Sequence, residues 1–154
     1  MREIDVKRLD RLPADKDLHP LLENSRVQGH KFVDTLVNQH LAGTNRFDKH
    51  GEALFGAFRH GRLVAVGGVN QDPYLRTRDV GRVRHVYVLS DVRRQGIGKC
   101  LMLRIIGVAK QHFRLLTLRT LNPNADKFYR ALGFQTEPAV DHATHFLNLS
   151  DVSS

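Results

Sequence analysis

Val86-Tyr87-Val88-Leu89, then Arg93-Arg94-Gln95-Gly96-Ile97-Gly98, then an apolar-periodic run from Ile97 to Phe113 make up the stretch that decides how this chain folds. The first piece reads as the end of a strand over Arg82–Leu89, and the last as a helix. A glycine turn feeding a helix start leaves backbone N–H groups without acceptors, and the helix dipole adds partial positive charge there. Such a turn is a ready anion site, for phosphate above all. Arg93 and Arg94 before it and Lys99 after it add full charges. The alternative is that both glycines only permit a tight strand-to-helix turn.

Two common phosphate motifs do not match. A dinucleotide fingerprint needs a third glycine where Leu101 stands, and a P-loop needs glycine at Arg93 and serine or threonine at Cys100. Cys100 sits in the first turn of the helix and reads as a small packing residue rather than a nucleophile.

Outward from the turn, the pattern alternates strands and helices. Glu3–Lys7 reads as a first strand, Asp15–Arg26 as a helix flawed by Pro20, and His30–Leu41 as a clearer helix stopped by Gly43. Ala53–Phe58 and Leu63–Val69 read as strands joined by the turn Arg59-His60-Gly61-Arg62. A polar loop, Gln71–Asp79, leads into the strand before the glycine turn. Beyond the long helix come a strand over Leu115–Thr120, a helix from Pro123 to Leu132 ended by Gly133, and strands at Phe134–Glu137 and Thr144–Leu149. This order predicts an α/β (α+β) domain spanning residues 1–154, with a mixed central sheet of about seven strands flanked by about four helices.

The 154 residues carry a net charge of +8 with a pI near 10.1, 41% hydrophobic and 26% charged residues. That balance favours anionic ligands and acceptors, admits RNA as a partner, and disfavours polycationic substrates. Between Arg76 and Arg104 eight basic residues face only Asp79 and Asp91. A single cysteine rules out an internal disulfide, and His142-x-x-His145 is not a convincing metal pair, so no metal is expected. No run approaches a membrane span and the N-terminus alternates like a strand, so a cytoplasmic location is the expectation. Monomer and homodimer are both compatible.

Arg93-x-x-Gly96-x-Gly98 resembles the R/Q-x-x-G-x-G/A signature of the GNAT superfamily of acyl-CoA-dependent N-acyltransferases. One helix and one strand later, Asn122-x-x-Ala125-x-x-Phe128-Tyr129-x-x-x-Gly133-Phe134 resembles that family's second signature. The resemblance is firm from Arg82 to Glu137. It implies a GNAT-like fold and N-acetyl transfer from acetyl-CoA to a small-molecule or peptide amine. It further implies that the pyrophosphate rests on Arg93, Arg94, Gln95, Gly96, Ile97, Gly98 and Lys99. The pantetheine arm would pair with the backbone of Val86, Tyr87 and Val88, and Asn122 would touch the same arm. Asn122 is equally read as the cap of the helix at Pro123. By the same resemblance Tyr129 is the general acid for the leaving thiolate. A basic CoA-sensing or nucleic-acid-binding module without catalysis is the alternative.

The acceptor side is less marked. Many family members carry glutamate at the position of Arg82, and arginine cannot accept a proton. Without a bulge, Arg82, Arg84, Val86 and Val88 share one strand face and His85 points the other way. If that face lines the acceptor cleft, the acceptor carries a carboxylate or phosphate: an amino acid derivative, a peptide terminus or a charged tRNA. Asp72, Tyr74, Arg82 and Arg84 are the candidate substrate contacts, and His85, Asp72, Tyr74 and His145 the candidate bases, with water relayed to a backbone carbonyl as the alternative.

Overall fold

A computed structural model describes residues 3–75 and 77–151; Arg76, from the basic cluster, and the two N-terminal residues lie outside them. Six strands form one sheet in chain order: β1 (Asp5–Leu9), β2 (Ala53–Arg59), β3 (Arg62–Gln71), β4 (Val80–Val88), β5 (Leu115–Leu118) and β6 (His145–Asn148). Four α-helices, α1 (Asp15–Val27), α2 (Phe32–Ala42), α3 (Ile97–Ala109) and α4 (Pro123–Ala131), complete the domain.

All neighbouring strands run antiparallel except β4 and β5. A parallel pair needs a crossover, and α3 supplies it. Apolar residues at helical spacing, Leu101, Met102, Ile105 and Ile106, press α3 onto one sheet face. α1 and α2 cover the other face, with Leu18, Leu21, Val33 and Leu36 buried. Covered on both sides, β3 is buried from Leu63 to Asn70, and Val64–Val66 and Gly67–Val69 lie in the centre of the core.

The expected seventh strand at Phe134–Glu137 is a single bridge. Gln135 exchanges both backbone hydrogen bonds with Phe146 (2.8 and 2.9 Å), and the ladder goes no further. The left-handed Gly133 (φ 103°) bends the chain in, and Pro138 has no N–H to extend the pairing. The long helix also stops short of Phe113, at Ala109, although the Phe113 N–H still reaches the Ala109 carbonyl at 2.8 Å.

Two features of β4 open the sheet. First, β4 pairs with β5 only through Val80–Arg82 against Leu115–Thr117. Residues 83–88 have no strand on that side among the described residues. Second, β4 carries a bulge: Tyr87 faces Val66 and Arg84 faces Gly68, so His85 and Val86 together oppose Gly67. His85 takes the left-handed backbone (φ 60°) that the extra residue demands. The bulge resets the alternation expected from an unbroken strand. Val86 and Val88 turn toward α3, beside Gly67 and Gly98, while His85 joins Arg84 on the opposite face near Phe47.

Gly68 shows how tightly this register is held. A Cβ there would lie 2.6 Å from Phe47 Cε1 and 2.7 Å from the Ala53 carbonyl oxygen. The backbone oxygen has no room to yield. Gly68→Ala is expected to lower unfolding free energy by about 1–3 kcal/mol, measured by urea denaturation; an unchanged midpoint would show that β2 and β3 separate freely.

Candidate active site

The splay of β4 from β5 leaves a cleft of about 880 Å³. Its walls are residues 83–88 of β4, the turn at 93–99, the end of β5 through Asn122, and α4 with Phe128 and Tyr129. His30 and Phe32, at the α1–α2 junction, add to the lining and stack on each other at 5.1 Å.

Another part of the wall is the start of α3. Gly96 is its N-cap, in the left-handed region (φ 83°), with open space where a Cβ would stand. Glycine is needed there for backbone conformation, since a side chain would strain that φ. No side chain caps the helix, so the first N–H groups point out unpaired. The other three helices each carry an acid in the first turn; α3 carries none, and has Lys99 instead. A cation beside the positive end of a helix dipole is unfavourable alone and favourable with an anion between them. Gly98, half-buried, leaves the approach open between Phe128 and Val88.

The other predicted contacts divide. Arg94 is exposed at the turn with φ 65°. Ile97 is buried and contributes backbone only. Gln95 accepts a hydrogen bond from Arg59. Arg93 folds back: its Nε donates to the Val88 carbonyl at 3.0 Å, and its guanidinium lies over the Tyr87 ring. The Val88 carbonyl, expected to be free for strand-like pairing, is therefore engaged. The Tyr87 hydroxyl points away, donating to Asn24 Oδ1 at 2.6 Å, and burial raises its pKa. Asn122 is the α4 cap, its Oδ1 accepting from the amides of Asn124 (2.8 Å) and Ala125 (3.4 Å), so the capping reading accounts for its oxygen. Cys100 is exposed, not packed.

Tyr129 is buried in a cage of Phe128, Phe134 and His145, with ring centroids 5.0, 5.5 and 6.1 Å away. Burial holds its phenol protonated well above the usual tyrosine range. α4 is pinned from behind. Asp126, one turn before Tyr129, meets His145 Nε2 at 2.7 Å, and His145 Nδ1 meets Thr144 Oγ1 at 2.7 Å. His145 and Arg130 together pull the Asp126 pKa down.

The acceptor-side residues separate sharply. Arg82 lies outside the cleft and is buried. Its Nη2 donates to the His142 carbonyl at 2.9 Å, its Nη1 lies 3.7 Å from Asp72 Oδ2, and its guanidinium covers the Tyr74 ring. Desolvation lowers its pKa despite the nearby carboxylate. Asp72 is also committed, accepting from the amides of Tyr74 and Leu75 and from Thr117 Oγ1. Tyr74 stacks on His142 at 4.3 Å, away from the cleft. Expected as substrate contacts, Asp72, Tyr74 and Arg82 instead tie two loops to the sheet. Arg84 and His85 do line the cleft. His30, Phe32 and Arg119 line it too and had no local motif; they arrive from distant chain segments.

His85 is 8% exposed and its buried Nε2 has no hydrogen-bond partner. Burial, then the Arg84 charge, push its pKa down from 6.5 to about 4. The unfolded chain therefore binds more protons between those values, and stability must fall as pH drops through that window. The loss approaches roughly 3 kcal/mol at the acid end. Urea unfolding from about pH 7 to about pH 4 checks this: the slope should flatten in His85→Gln.

Comparison with known proteins places the chain in a family. Residues 17–134 match the family described as Acetyltransferase (GNAT) family. The chain is similar to an inferred acetyltransferase from Exiguobacterium sp. 255-15, with 30% identity, a TM-score of 0.83, and coverage of 96% of this chain and 95% of that one. A GNAT acetyltransferase from Staphylococcus aureus Mu50 has the same fold at 17% identity, with TM-score 0.65 and coverage of 96% and 99%. So does an inferred acetyltransferase from Salmonella typhimurium, solved with its cofactor acetyl-CoA, at 15% identity, TM-score 0.68 and coverage of 98% and 96%. With its family match over most of its length and a relative at 30% identity, this chain belongs to the GNAT family of acetyltransferases.

Proposed function

We propose that the cleft binds acetyl-CoA and passes its acetyl group directly to a primary amine. The observation that carries this reading is the continuity of one cleft, from the uncapped, cationic start of α3, along the open edge of β4, to Tyr129 and His85. The residues fit the cofactor. Backbone amides at Gly96–Lys99 with Arg94 and Lys99 suit a pyrophosphate. The unpaired side of residues 83–88 suits an amide-bearing arm laid along it as an added strand, with the Val88 carbonyl reserved by Arg93. Asn122 can offer only its amide nitrogen, because the cap uses the oxygen.

Bound acetyl-CoA supplies a thioester that an amine can attack with loss of a thiolate. Tyr129 keeps a proton at its hydroxyl for the departing sulfur, since burial holds the phenol neutral. On attack the amine nitrogen must lose one proton to end as a neutral amide. Of the four candidate bases, Asp72 is saturated with donors, Tyr74 lies outside the cleft, and His145 has both nitrogens engaged. Among these side chains His85 remains, lining the cleft with no partner on Nε2. We assign it the role of proton acceptor.

Incubation with acetyl-CoA and an amine library, followed by thiol release, tests the reading. Tyr129→Phe should lower kcat by about a hundredfold or more while acetyl-CoA affinity by calorimetry stays within about twofold. Tight acetyl-CoA binding with no thiol release for any amine would support a sensing role instead.

A further inference from the structure

The walls of the cleft contain five cationic residues and no acid. Arg84, Arg93, Arg94, Lys99 and Arg119 line it, and no aspartate or glutamate does among the described residues. Arg93 is held by the Val88 carbonyl and the Tyr87 ring, while Arg94 and Lys99 flank the start of α3 and belong with the phosphates of the proposed donor. Arg84 does not. It pairs with Gly68, whose missing side chain would point at Phe47, so Arg84 stands on the sheet face opposite α3.

On that face the positive charge is in excess. Arg84 and Arg119 both act electrostatically on Arg82. The nearby carboxylate is Asp72, already held by Arg82, two backbone amides and Thr117. Arg84 makes no ion pair among the described residues, and the His30–Phe32 stack lines the same cleft. Like charges gathered beside a cleft cost stability unless an anion joins them.

The bulge sets His85 next to Arg84 on this same face, with the Phe47 ring packed against it and Gly67 opposite. We infer that the acceptor is an amine carrying its own anionic group, a carboxylate or phosphate, with Arg84 gripping the anion and the amine delivered to His85. This rests on the acetyl-transfer reading above. The step balances: the amine nitrogen bonds to the acyl carbon and the carbon–sulfur bond breaks. One amine proton goes to His85, and the Tyr129 proton goes to sulfur. Both side chains recover their states from solvent. The pairing also has a kinetic consequence. The Arg84 charge opposes protonation of His85, and an anion on Arg84 cancels that opposition. An anionic acceptor therefore improves the base as well as its own binding.

Matched acceptors test this: amino acids against their carboxamides, and aminoalkyl phosphates against the corresponding amino alcohols, with thiol release as readout. The anionic member of a pair that turns over should show kcat/KM higher by about tenfold or more. Arg84→Met should bring that ratio close to one, and Arg84→Lys should restore part of it, which separates lost charge from lost folding. The carboxylate and phosphate arms tell the two anions apart. Equal or better use of neutral or cationic amines, or a ratio that survives Arg84→Met, overturns the inference and leaves acetyl transfer standing. No thiol release from any amine overturns both.

Discussion

Two residues of β4 facing one residue of β3 set the geometry on which the site depends. The extra residue at His85–Val86 turns the strand, and β4 stops pairing with β5 after Arg82. Had the ladder run on to Val88, the cleft would be filled by backbone hydrogen bonds. The bulge also decides which side chains meet the two ends of the gap. Val86 and Val88 pack toward α3, and Arg84 and His85 turn to the other face. Glycine at 67 and 68 lets neighbouring layers close over this irregular stretch.

The splay is held open from both sides by polar ties rather than by apolar packing alone. On one side Arg82, Asp72, Thr117 and the His142 carbonyl join the β3–β4 loop, β4, β5 and the segment before β6. A buried pair of this kind contributes little net stability but is costly to break, because each partner would leave an uncompensated charge. It locates the loops. On the other side the Asp126–His145–Thr144 chain fixes α4, and with it the Tyr129 ring. Thr144 Oγ1 also accepts from the Thr120 amide at 2.9 Å, which ties the end of β5 into the same chain. Charges that look available for substrate in one dimension are thus used as fasteners in three.

How much was legible in one dimension follows from the range of each signal. The strand–glycine turn–helix unit is local: β-branched residues, two glycines and a helical apolar period lie next to one another, and they form β4, the turn and α3 with boundaries close to those expected. The helix at Pro123 announced itself through a cap and an N1 proline. The seventh strand failed because four residues between Gly133 and Pro138 have strand-like composition without room to pair. Cys100, read from its type as a small packing residue, lies on the exposed side of α3 because the helix phase, not polarity, decides.

The amino-acid sequence by itself determined the fold class, the family and the glycine turn that starts α3. Those rest on neighbouring residues whose backbone conformations are dictated locally. Only the tertiary structure decided which polar side chains of β4 reach the cleft. Arg82, Arg84 and His85 are close neighbours in the chain with similar polarity, yet one is buried in a clasp and two line the cleft. A one-residue bulge, set by β3 across the ladder, shifts side-chain alternation from that point on. Asp72, Thr117 and His142, which capture Arg82, come from three separate segments. No local pattern encodes that meeting, because packing of the whole sheet brings it about.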